Sequence, residues 1–295
     1  MTGVSNPFAD DRRLLLSIAY NITGSISDAE DLVQAGYLRW QARPTDRQVE
    51  HPRAYAAQIV TRLALDLLDS PARRNEQYVG PWLPEPWETI DVPEPASEHG
   101  PHATAELSER VSTALLVVLH TLSEDQRAAF VLHDVFGFSY PETAASIQKS
   151  EAATRQILHR AREHVKAGRP RIEVSAREHR QTVQRFADAA STGDVQSLLS
   201  VIAPNAILVG DGGGKANAVR RPVLGRVRIL RFLLGIWLKR ARDTVTTIRQ
   251  VNGRDALVIN EHGRTTAVFE FDVLDDGVAQ ILVQRNPDKL ARFDA

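Results

Sequence analysis

The 295-residue chain contains no cysteine, and only 6% of its residues are aromatic. Without cysteine there is no disulfide framework, Cys-ligated zinc site, iron–sulfur cluster or thiol nucleophile. Uncharged apolar runs such as residues 111–123 fall short of the ~20 residues that cross a bilayer. The N-terminus carries Asp10 and Asp11 and lacks the apolar segment of a secretory signal. We therefore expect a soluble, cytoplasmic protein with no membrane partner, and nothing indicates a cofactor or a metal site.

The chain also lacks an excess of either charge, with 36 basic and 37 acidic residues and a net charge of −1. This balance argues against a uniformly basic surface for nucleic acid, but the charges are unevenly distributed. Residues 76–110 hold eight acids and one base, and residues 148–171 hold seven bases and two acids. Residues 215–242 hold nine bases and no acid, and are expected to cover the acidic segment, to touch DNA or to form a solvated helix face.

The acidic segment is rich in proline, with six prolines between residues 81 and 101. Proline lacks a backbone donor and restricts its neighbour, so one regular element is excluded here. We interpret residues 76–105 as a semi-rigid linker between helical domains at 1–75 and 106–170. Its aromatic side chains are unusual for a solvated tether, so the linker is expected to dock on another surface. These aromatic residues are Tyr78, Trp82 and Trp87.

Two hydrophobic periodicities divide the rest of the chain. In the N-terminal half apolar residues recur at helical spacing. Ser27 is expected to N-cap a helix with an acidic first turn, and Pro52 to begin the next helix. A long amphipathic helix is expected over 225–242. Over residues 171–295, helical segments give way to four alternating runs separated by turn dipeptides such as Asn252-Gly253, which predicts an α+β domain.

Residues 138–165 have the pattern of a helix-turn-helix. Ser139 and Glu142 form a potential capping box for a short helix, and Ser150 can N-cap a second, polar and basic helix. In this motif the second helix enters the major groove, where Arg and Gln contact base edges. An amphipathic hairpin with a solvated basic face is the alternative. The candidate DNA-binding residues are Ser150, Thr154, Arg155, Gln156, His159, Arg160 and Arg162.

Several segments together resemble the extracytoplasmic-function (ECF) group of sigma-70-type factors. The sequence DAEDLVQ from Asp28 is similar to the region 2 signature, and residues 122–162 are similar to region 4. The sequence YVGPWLPEP from Tyr78 resembles the linker of the SigJ-like subgroup, which carries a SnoaL-like C-terminal extension. DGGGK from Asp211 and NPDKL from Asn286 are also similar to motifs of this subgroup.

The resemblance implies a fold and a function. It implies two all-α sigma domains, the region 2 bundle and the region 4 helix-turn-helix, plus an α+β, cone-shaped SnoaL-like domain. The chain would bind core RNA polymerase, through the β′ clamp coiled coil and the β flap, and promoter DNA. The helix-turn-helix residues would read the −35 element. The polymerase-binding residues would be Asp28, Glu30, Asp31 and Gln34, and the −10 element would be read by Arg53, Tyr55, Gln58 and Arg62.

Purely structural roles are the alternative explanation for several of these residues. Asp28 and Glu30 also suit any well-capped helix start, and Tyr55 also falls on a stripe compatible with the core. Single-strand capture needs aromatic and basic side chains, a description that Tyr55 and Arg62 fit. A repressor-like protein that uses only the helix-turn-helix, without polymerase, is a second alternative.

The extension is expected to regulate the sigma domains in place of a separate anti-sigma factor, with a small apolar ligand in its pocket as a possible partner. The alternative is a SnoaL-type cyclase or isomerase, or a ligand-sensing protein, with a DNA-binding appendage. No spacing singles out a catalytic pair, and we expect no enzyme. Its candidates are Asp188, Asp211, His262, Glu270 and Asp272. The regulatory contact is assigned to Trp82, Leu83, Pro84, Glu85, Pro86, Asp211, Gly212, Gly213, Gly214, Lys215, Asn286, Pro287, Asp288, Lys289 and Leu290.

Overall fold

Helices form the N-terminal half of the chain, and helices packed on a sheet form the C-terminal half. The computed structural model describes residues 6–43, 49–74, 78–88, 111–168 and 174–294. The second half of the predicted linker and the predicted helix start at residue 106 lie outside the described residues. The chain divides into a helical unit (Met1–Glu76, Glu94–Val111 and Leu115–Arg169) and an α+β unit (Gln77–Pro93, Ser112–Ala114 and Pro170–Ala295).

Nine helices lie between residues 7 and 168 of the described chain. They are α1 (Pro7–Asp10), α2 (Arg12–Thr23), α3 (Ile26–Gln41), α4 (Pro52–Leu68), α5 (Pro71–Arg74), α6 (Thr113–Leu119), α7 (Glu124–Phe130), α8 (Tyr140–Ile147) and α9 (Glu151–Gly168). One turn of π-helix, Val131–Val135, continues α7. The apolar stripe of α2, with Leu15, Ile18 and Ile22 fully buried, forms the centre of a bundle with α3 and α4.

Helix α3 begins two residues earlier than its sequence suggests. Ser25, not Ser27, is the N-cap: its extended backbone (φ −127°, ψ 129°) is the conformation of a cap, and its hydroxyl accepts from the Asp28 N–H. Gly24 ends α2 in the left-handed conformation at φ 73° and leads directly into this cap. The prediction of Ser27 was wrong because Ile26 already has a helical backbone.

The predicted helix-turn-helix is present as α8, a three-residue turn and α9. The Ser139 hydroxyl accepts from the Glu142 N–H while the Glu142 carboxylate accepts from the Ser139 N–H, which confirms the capping box. Gln148 ends α8 at φ 58°. Ser150 caps α9, since its hydroxyl accepts from the Ala153 N–H at 3.2 Å.

The α+β unit is built on one six-stranded sheet in the order β2-β1-β6-β5-β4-β3. Strands β1 and β6 are parallel and all other neighbours are antiparallel, so the last four strands form the predicted meander. Its helices and strands are α10 (Ala176–Thr192), α11 (Val195–Val201), β1 (Ile202–Asp211), β2 (Val223–Leu224), α12 (Arg226–Trp237), β3 (Val245–Val251), β4 (Arg254–Glu261), β5 (Arg264–Leu274), β6 (Gly277–Gln284), α13 (Pro287–Leu290) and a final 3-10 turn (Ala291–Asp294).

Helices α10, α11 and α12 pack with the sheet around one apolar core. The rings of Phe186 and Phe271 meet there at a centroid distance of 4.8 Å. A second cluster joins Leu290 and Phe293, near the C-terminus, to buried valines of strands β3 to β5. Helix α12 ends at Trp237 rather than at residue 242, and Leu238 beyond it is exposed.

None of the helices in the described ranges is long and apolar enough to span a bilayer.

Candidate functional site

Asp211, at the end of β1, is the centre of a buried polar network that holds the linker segment 78–88 within the α+β unit. Its side chain is fully buried. Several hydrogen bonds to one carboxylate satisfy its lone pairs. The donors are Tyr78 Oη (2.5 Å), Leu83 N (2.9 Å), Gly213 N (3.0 Å), Gln284 Nε2 (3.3 Å) and Lys289 Nζ (2.8 Å).

Lys289 forms an ion pair with Asp211 and is the second residue that binds the linker. Its ammonium donates to Asp211 Oδ2 at 2.8 Å and to the Leu83 carbonyl at 2.6 Å. The same Nζ lies 4.4 Å from the Trp82 ring centroid and 4.7 Å from that of Tyr78. A buried ion pair is favourable only when its remaining polar groups are also bonded. Here the remaining polar groups of the pair are hydrogen-bonded, and several of their partners belong to the linker.

Tyr78 ties the linker to the two segments of the α+β unit that begin at Asp211 and at Asn286. Burial, followed by the bond to Asp211, raises the pKa of the Tyr78 hydroxyl above its usual range. Asn286 Nδ2 donates to this hydroxyl at 2.9 Å. Gly213 has φ +57°, and a Cβ on it would lie 2.3 Å from Asn286 Nδ2. Only glycine therefore fits between Asp211 and Asn286.

The rest of the described linker runs along the same unit. Gln284 Nε2 donates to the Pro84 carbonyl at 3.3 Å, and the Asn252 N–H donates to the Trp87 carbonyl at 2.8 Å. Two linker acids face arginines: Glu85 lies 3.8 Å from Arg292 and Glu88 lies 3.4 Å from Arg249. Both arginines lie outside residues 215–242, the basic stretch expected to cover the linker.

The residues assigned to the regulatory contact are thus brought together, and their regulatory role stays a prediction. Pro86 and Leu290 are buried, and Pro287 opens α13 behind its cap Asn286. A Cβ on Gly212 would lie 2.4 Å from the Ala216 carbonyl, while a Cβ on Gly214 would lie 3.1 Å from Val79. Lys215 pairs with Asp288 on the exposed rim.

A second buried carboxylate, Glu270 on β5, lies elsewhere in the α+β unit. Its Oε2 accepts from the Thr113 hydroxyl and, at 3.2 Å, from Asn252 Nδ2, which also donates to Thr113 Oγ1 at 2.7 Å. Burial, only partly offset by these bonds, raises the pKa of Glu270 to about 7. Sequence reasoning considered Glu270 only as a catalytic candidate and gave no sign of Thr113, which lies 157 residues away.

The other catalytic candidates are scattered. Asp188 is exposed and bonded to Gln184, and His262 pairs with Asp243 at 2.9 Å. Asp211 is committed to the linker. No pair of the five candidates shares a hydrogen bond among the described residues, and none lines the apolar cavity between α10, α12 and the sheet.

In the helical unit, the residues expected to bind polymerase lie on α3. Asp31 and Gln34 are exposed one turn apart, whereas Glu30 is half-buried. Asp28 forms an ion pair with Arg73 of α5. Asp31 and Gln34 are therefore the two exposed members of the set.

The residues expected to read the −10 element lie on α4, and two of them contact the helix-turn-helix. Gln58 Nε2 and Arg62 Nη2 both donate to the Ala145 carbonyl of α8, at 2.9 Å and 2.8 Å. Arg53 lines a cavity of about 420 Å³ together with Phe138 and Glu142. Tyr55 is 38% exposed, which excludes a core position.

Arg127 of α7 is a buried cation whose partners the sequence did not reveal. It is buried, and it donates from Nε to the Leu119 carbonyl at 3.1 Å and from Nη1 to the Ile22 carbonyl at 2.9 Å. Burial lowers its pKa to about 10. A cation suits the carbonyl ends of helices, so Arg127 joins the end of α2 to α6 and α7.

Most candidates for reading the −35 element form an exposed face of α9. Gln156, His159 and Arg160 are exposed. Arg162 forms two hydrogen bonds with Asp134, at 2.9 and 2.5 Å, which raise the pKa of the guanidinium.

Two further candidates on α9 differ in their exposure. Arg155 is exposed and stacks over the Tyr140 ring at 4.9 Å. Thr154 is fully buried and donates to the Ser150 carbonyl at 3.0 Å, so its side chain faces the core.

Comparison with known proteins agrees with this arrangement. The chain matches Sigma-70 region 2 over residues 8–74 and Sigma-70, region 4 over residues 104–165. It is 40% identical over 227 residues to the ECF RNA polymerase sigma factor SigJ of Mycobacterium tuberculosis, a stretch that covers 76% of this chain and 70% of that protein. It is 28% identical over 289 residues to the probable ECF RNA polymerase sigma factor SigI of that species, covering 97% and 94%.

The crystal structure of the Mycobacterium tuberculosis extracytoplasmic function sigma factor SigJ matches with a TM-score of 0.74 and 32% sequence identity. The match covers 96% of this chain and 97% of that one, so it includes the α+β unit. The predicted fold class, two all-α sigma domains followed by an α+β domain, is confirmed. The chain therefore belongs to the ECF group of the sigma-70 family of RNA polymerase sigma factors.

Proposed function

We propose that this sigma factor directs promoter-specific initiation from a closed resting state, and that its fused α+β domain controls the opening. The observation that carries the proposal is the shared acceptor of Gln58 and Arg62. Both side chains, expected to read the −10 element, are bonded to the Ala145 carbonyl of the helix-turn-helix. In this state they are not available to a DNA strand.

The linker supplies the means of control. It connects region 2 to region 4 in sequence, and its residues 78–88 are held by Asp211 and Lys289. Fixing part of a tether shortens the free segment, which raises the effective concentration of its two ends for each other. Holding the linker therefore favours contact between α4 and α8, and releasing it shifts the population towards open molecules.

Polymerase is proposed to be the partner that captures the open form. The exposed Asp31 and Gln34 would meet the β′ clamp coiled coil, and region 4 would meet the β flap. Asp28 would position α3 through its ion pair with Arg73. The exposed face of α9 would then read the −35 element through Gln156, His159 and Arg160.

Reconstituted transcription with core polymerase tests the proposal. Asp31→Ala is expected to lower co-purification with core polymerase, whereas Asp10→Ala, which removes an exposed acid from α1, is expected to leave it unchanged. Specific transcripts are expected with the wild-type chain. Absence of initiation across candidate promoters, together with DNA binding that needs no polymerase, would favour the repressor-like alternative.

The α+β domain is further proposed to take a small ligand that biases the linker. An apolar cavity of about 370 Å³ between α10, α12 and the sheet supports this part of the proposal. Its volume falls in the range of small-molecule sites.

A further inference from the structure

The apolar cavity of the α+β domain, which we call the inner cavity, is lined mostly by aliphatic and aromatic side chains. Phe186 of α10, Leu233 and Trp237 of α12, and Ile259 and Phe269 of the sheet are among them. The indole N–H of Trp237 is buried and has no hydrogen-bond acceptor among the described residues. A buried donor without a partner is costly, so a ligand is favoured whose accepting end lies beside Arg240, which stacks on Trp237 and lines both cavities.

A second cavity of about 580 Å³, the outer cavity, adjoins the inner one. The two cavities share four lining residues, Ile236, Arg240, Glu261 and Arg285. A molecule in the inner cavity therefore lies next to the outer cavity, and these four side chains border both.

The outer cavity is basic. Four cationic side chains line it against one carboxylate, Glu261, which accepts from Thr244 and Thr266 at 3.3 and 3.1 Å. None of the four forms an ion pair with a carboxylate among the described residues: Arg285 donates to the carbonyls of Asn217 and Thr266, and Arg240 stacks on Trp237. The four cations are Arg231, Lys239, Arg240 and Arg285.

We infer that the two cavities together bind one amphipathic anion, a medium-chain carboxylate, with its hydrocarbon chain in the inner cavity and its charged end among the cations of the outer cavity. The attraction between these cations and a bound anion is stronger beside an apolar cavity, because the apolar surroundings lower the effective dielectric constant. The apolar walls exclude a wholly charged ligand, and the four cations disfavour an amine. Binding itself is independent of the proposed sigma mechanism; only its effect on the linker rests on that proposal.

Calorimetric titration of the full chain with octanoate, octan-1-ol and octylammonium tests this inference. Octanoate is expected to bind at least tenfold more tightly than the alcohol, and the amine more weakly than either. Each CH₂ added between hexanoate and octanoate is expected to tighten binding roughly fourfold. Filling the inner cavity by Ala190→Leu is expected to weaken binding of all three probes.

Two double variants, each of which removes two positive charges, distinguish the electrostatics of the site from the overall charge of the protein. Arg231→Gln with Lys239→Gln removes two cations of the outer cavity, and is expected to abolish the preference for octanoate over octan-1-ol. Arg228→Gln with Arg242→Gln removes two cations that line neither cavity, and is expected to retain it.

The inference that the ligand has an anionic end would be overturned if the wild-type chain bound octanoate and octan-1-ol equally tightly. It would also be overturned if both double variants lost the preference for octanoate to the same extent. Failure of every probe to bind at millimolar concentration would overturn the site itself. Because these titrations contain no polymerase, neither result depends on whether the chain initiates transcription.

Discussion

Asp211→Asn is the substitution that most sharply tests how the linker is held. The change is nearly isosteric, so it adds no steric cost, but it removes the charge that faces Lys289 at 2.8 Å. It also replaces one acceptor oxygen by an NH₂ group, which must face either the Gly213 N–H or the donors Leu83 N and Lys289 Nζ. Two donors then oppose each other in a buried site.

The magnitude follows from the burial of this pair. Removing one partner of a buried ion pair costs about 3–5 kcal/mol. Release of residues 78–88 exposes Lys289 to water and relieves most of this cost, so the linker is expected to leave the α+β unit before the unit unfolds. A weakening of about 3 kcal/mol corresponds to an opening constant larger by more than 100-fold.

Hydrogen exchange at the Leu83 amide measures this opening, since that N–H donates to Asp211 Oδ2. Exchange in Asp211→Asn is expected to be at least 100-fold faster than in the wild type. Asp188→Asn, at an exposed carboxylate of the same unit, is the control and is expected to leave the rate unchanged. An unchanged Leu83 rate in a folded Asp211→Asn protein would refute the role of Asp211 in holding the linker.

Three further substitutions test individual parts of the structure. Burial raises the pKa of Glu270 from 4.5 to about 7, so the free energy of unfolding should fall by about 3 kcal/mol as the pH rises from 4.5 to above 7; in Glu270→Gln this fall should be absent in urea titrations. Gly213→Ala should lower the free energy of unfolding by about 2–4 kcal/mol, because its φ is positive and the added Cβ crowds Asn286. Gly263 has φ +74° but open space where a Cβ would lie, so Gly263→Ala should show only the loss due to the positive φ. Arg127→Met should lower the free energy of unfolding of the helical unit by about 3 kcal/mol, because it removes the buried guanidinium that donates to the Ile22 and Leu119 carbonyls. Arg127→Lys should recover part of the loss.

Each of these has a clear contrary result. If the free energy of unfolding still fell with rising pH in Glu270→Gln, the pH dependence would belong to another titratable group. Equal destabilisation by the two alanine substitutions would exclude crowding at Gly213. Full stability of Arg127→Met would show that the hydrogen bonds of Arg127 are not needed to hold the helical unit together.

Local sequence signals predicted much of the fold. The capping residues Ser139 and Ser150 and the turn at Asn252-Gly253 act within a few residues of themselves, and the structure has each of them. The end of α12 was placed too late because charged residues after Trp237 continue the helical pattern without a buried face to hold it. Aromatic residues in an acidic, proline-rich segment correctly indicated a docked linker.

The partners in the buried polar groups could not be predicted in this way. Glu270 meets Thr113 across 157 residues, and Arg127 meets Ile22 across 105. Such pairs depend on which elements pack together, and a single polar residue at a buried position leaves no periodic signal. The linker acids likewise pair with Arg249 and Arg292, whose sequence surroundings do not distinguish them from other arginines.

In the proposed mechanism, binding of the linker by the α+β domain keeps region 4 in contact with region 2. Because the natural chain has no cysteine, Leu38→Cys on α3 and Lys166→Cys on α9 allow two spin labels at defined, exposed sites. We expect one narrow distribution of label distances in the otherwise wild-type chain, and a broad distribution at longer distances once Asp211→Asn is added. The same narrow distribution in both proteins would contradict it.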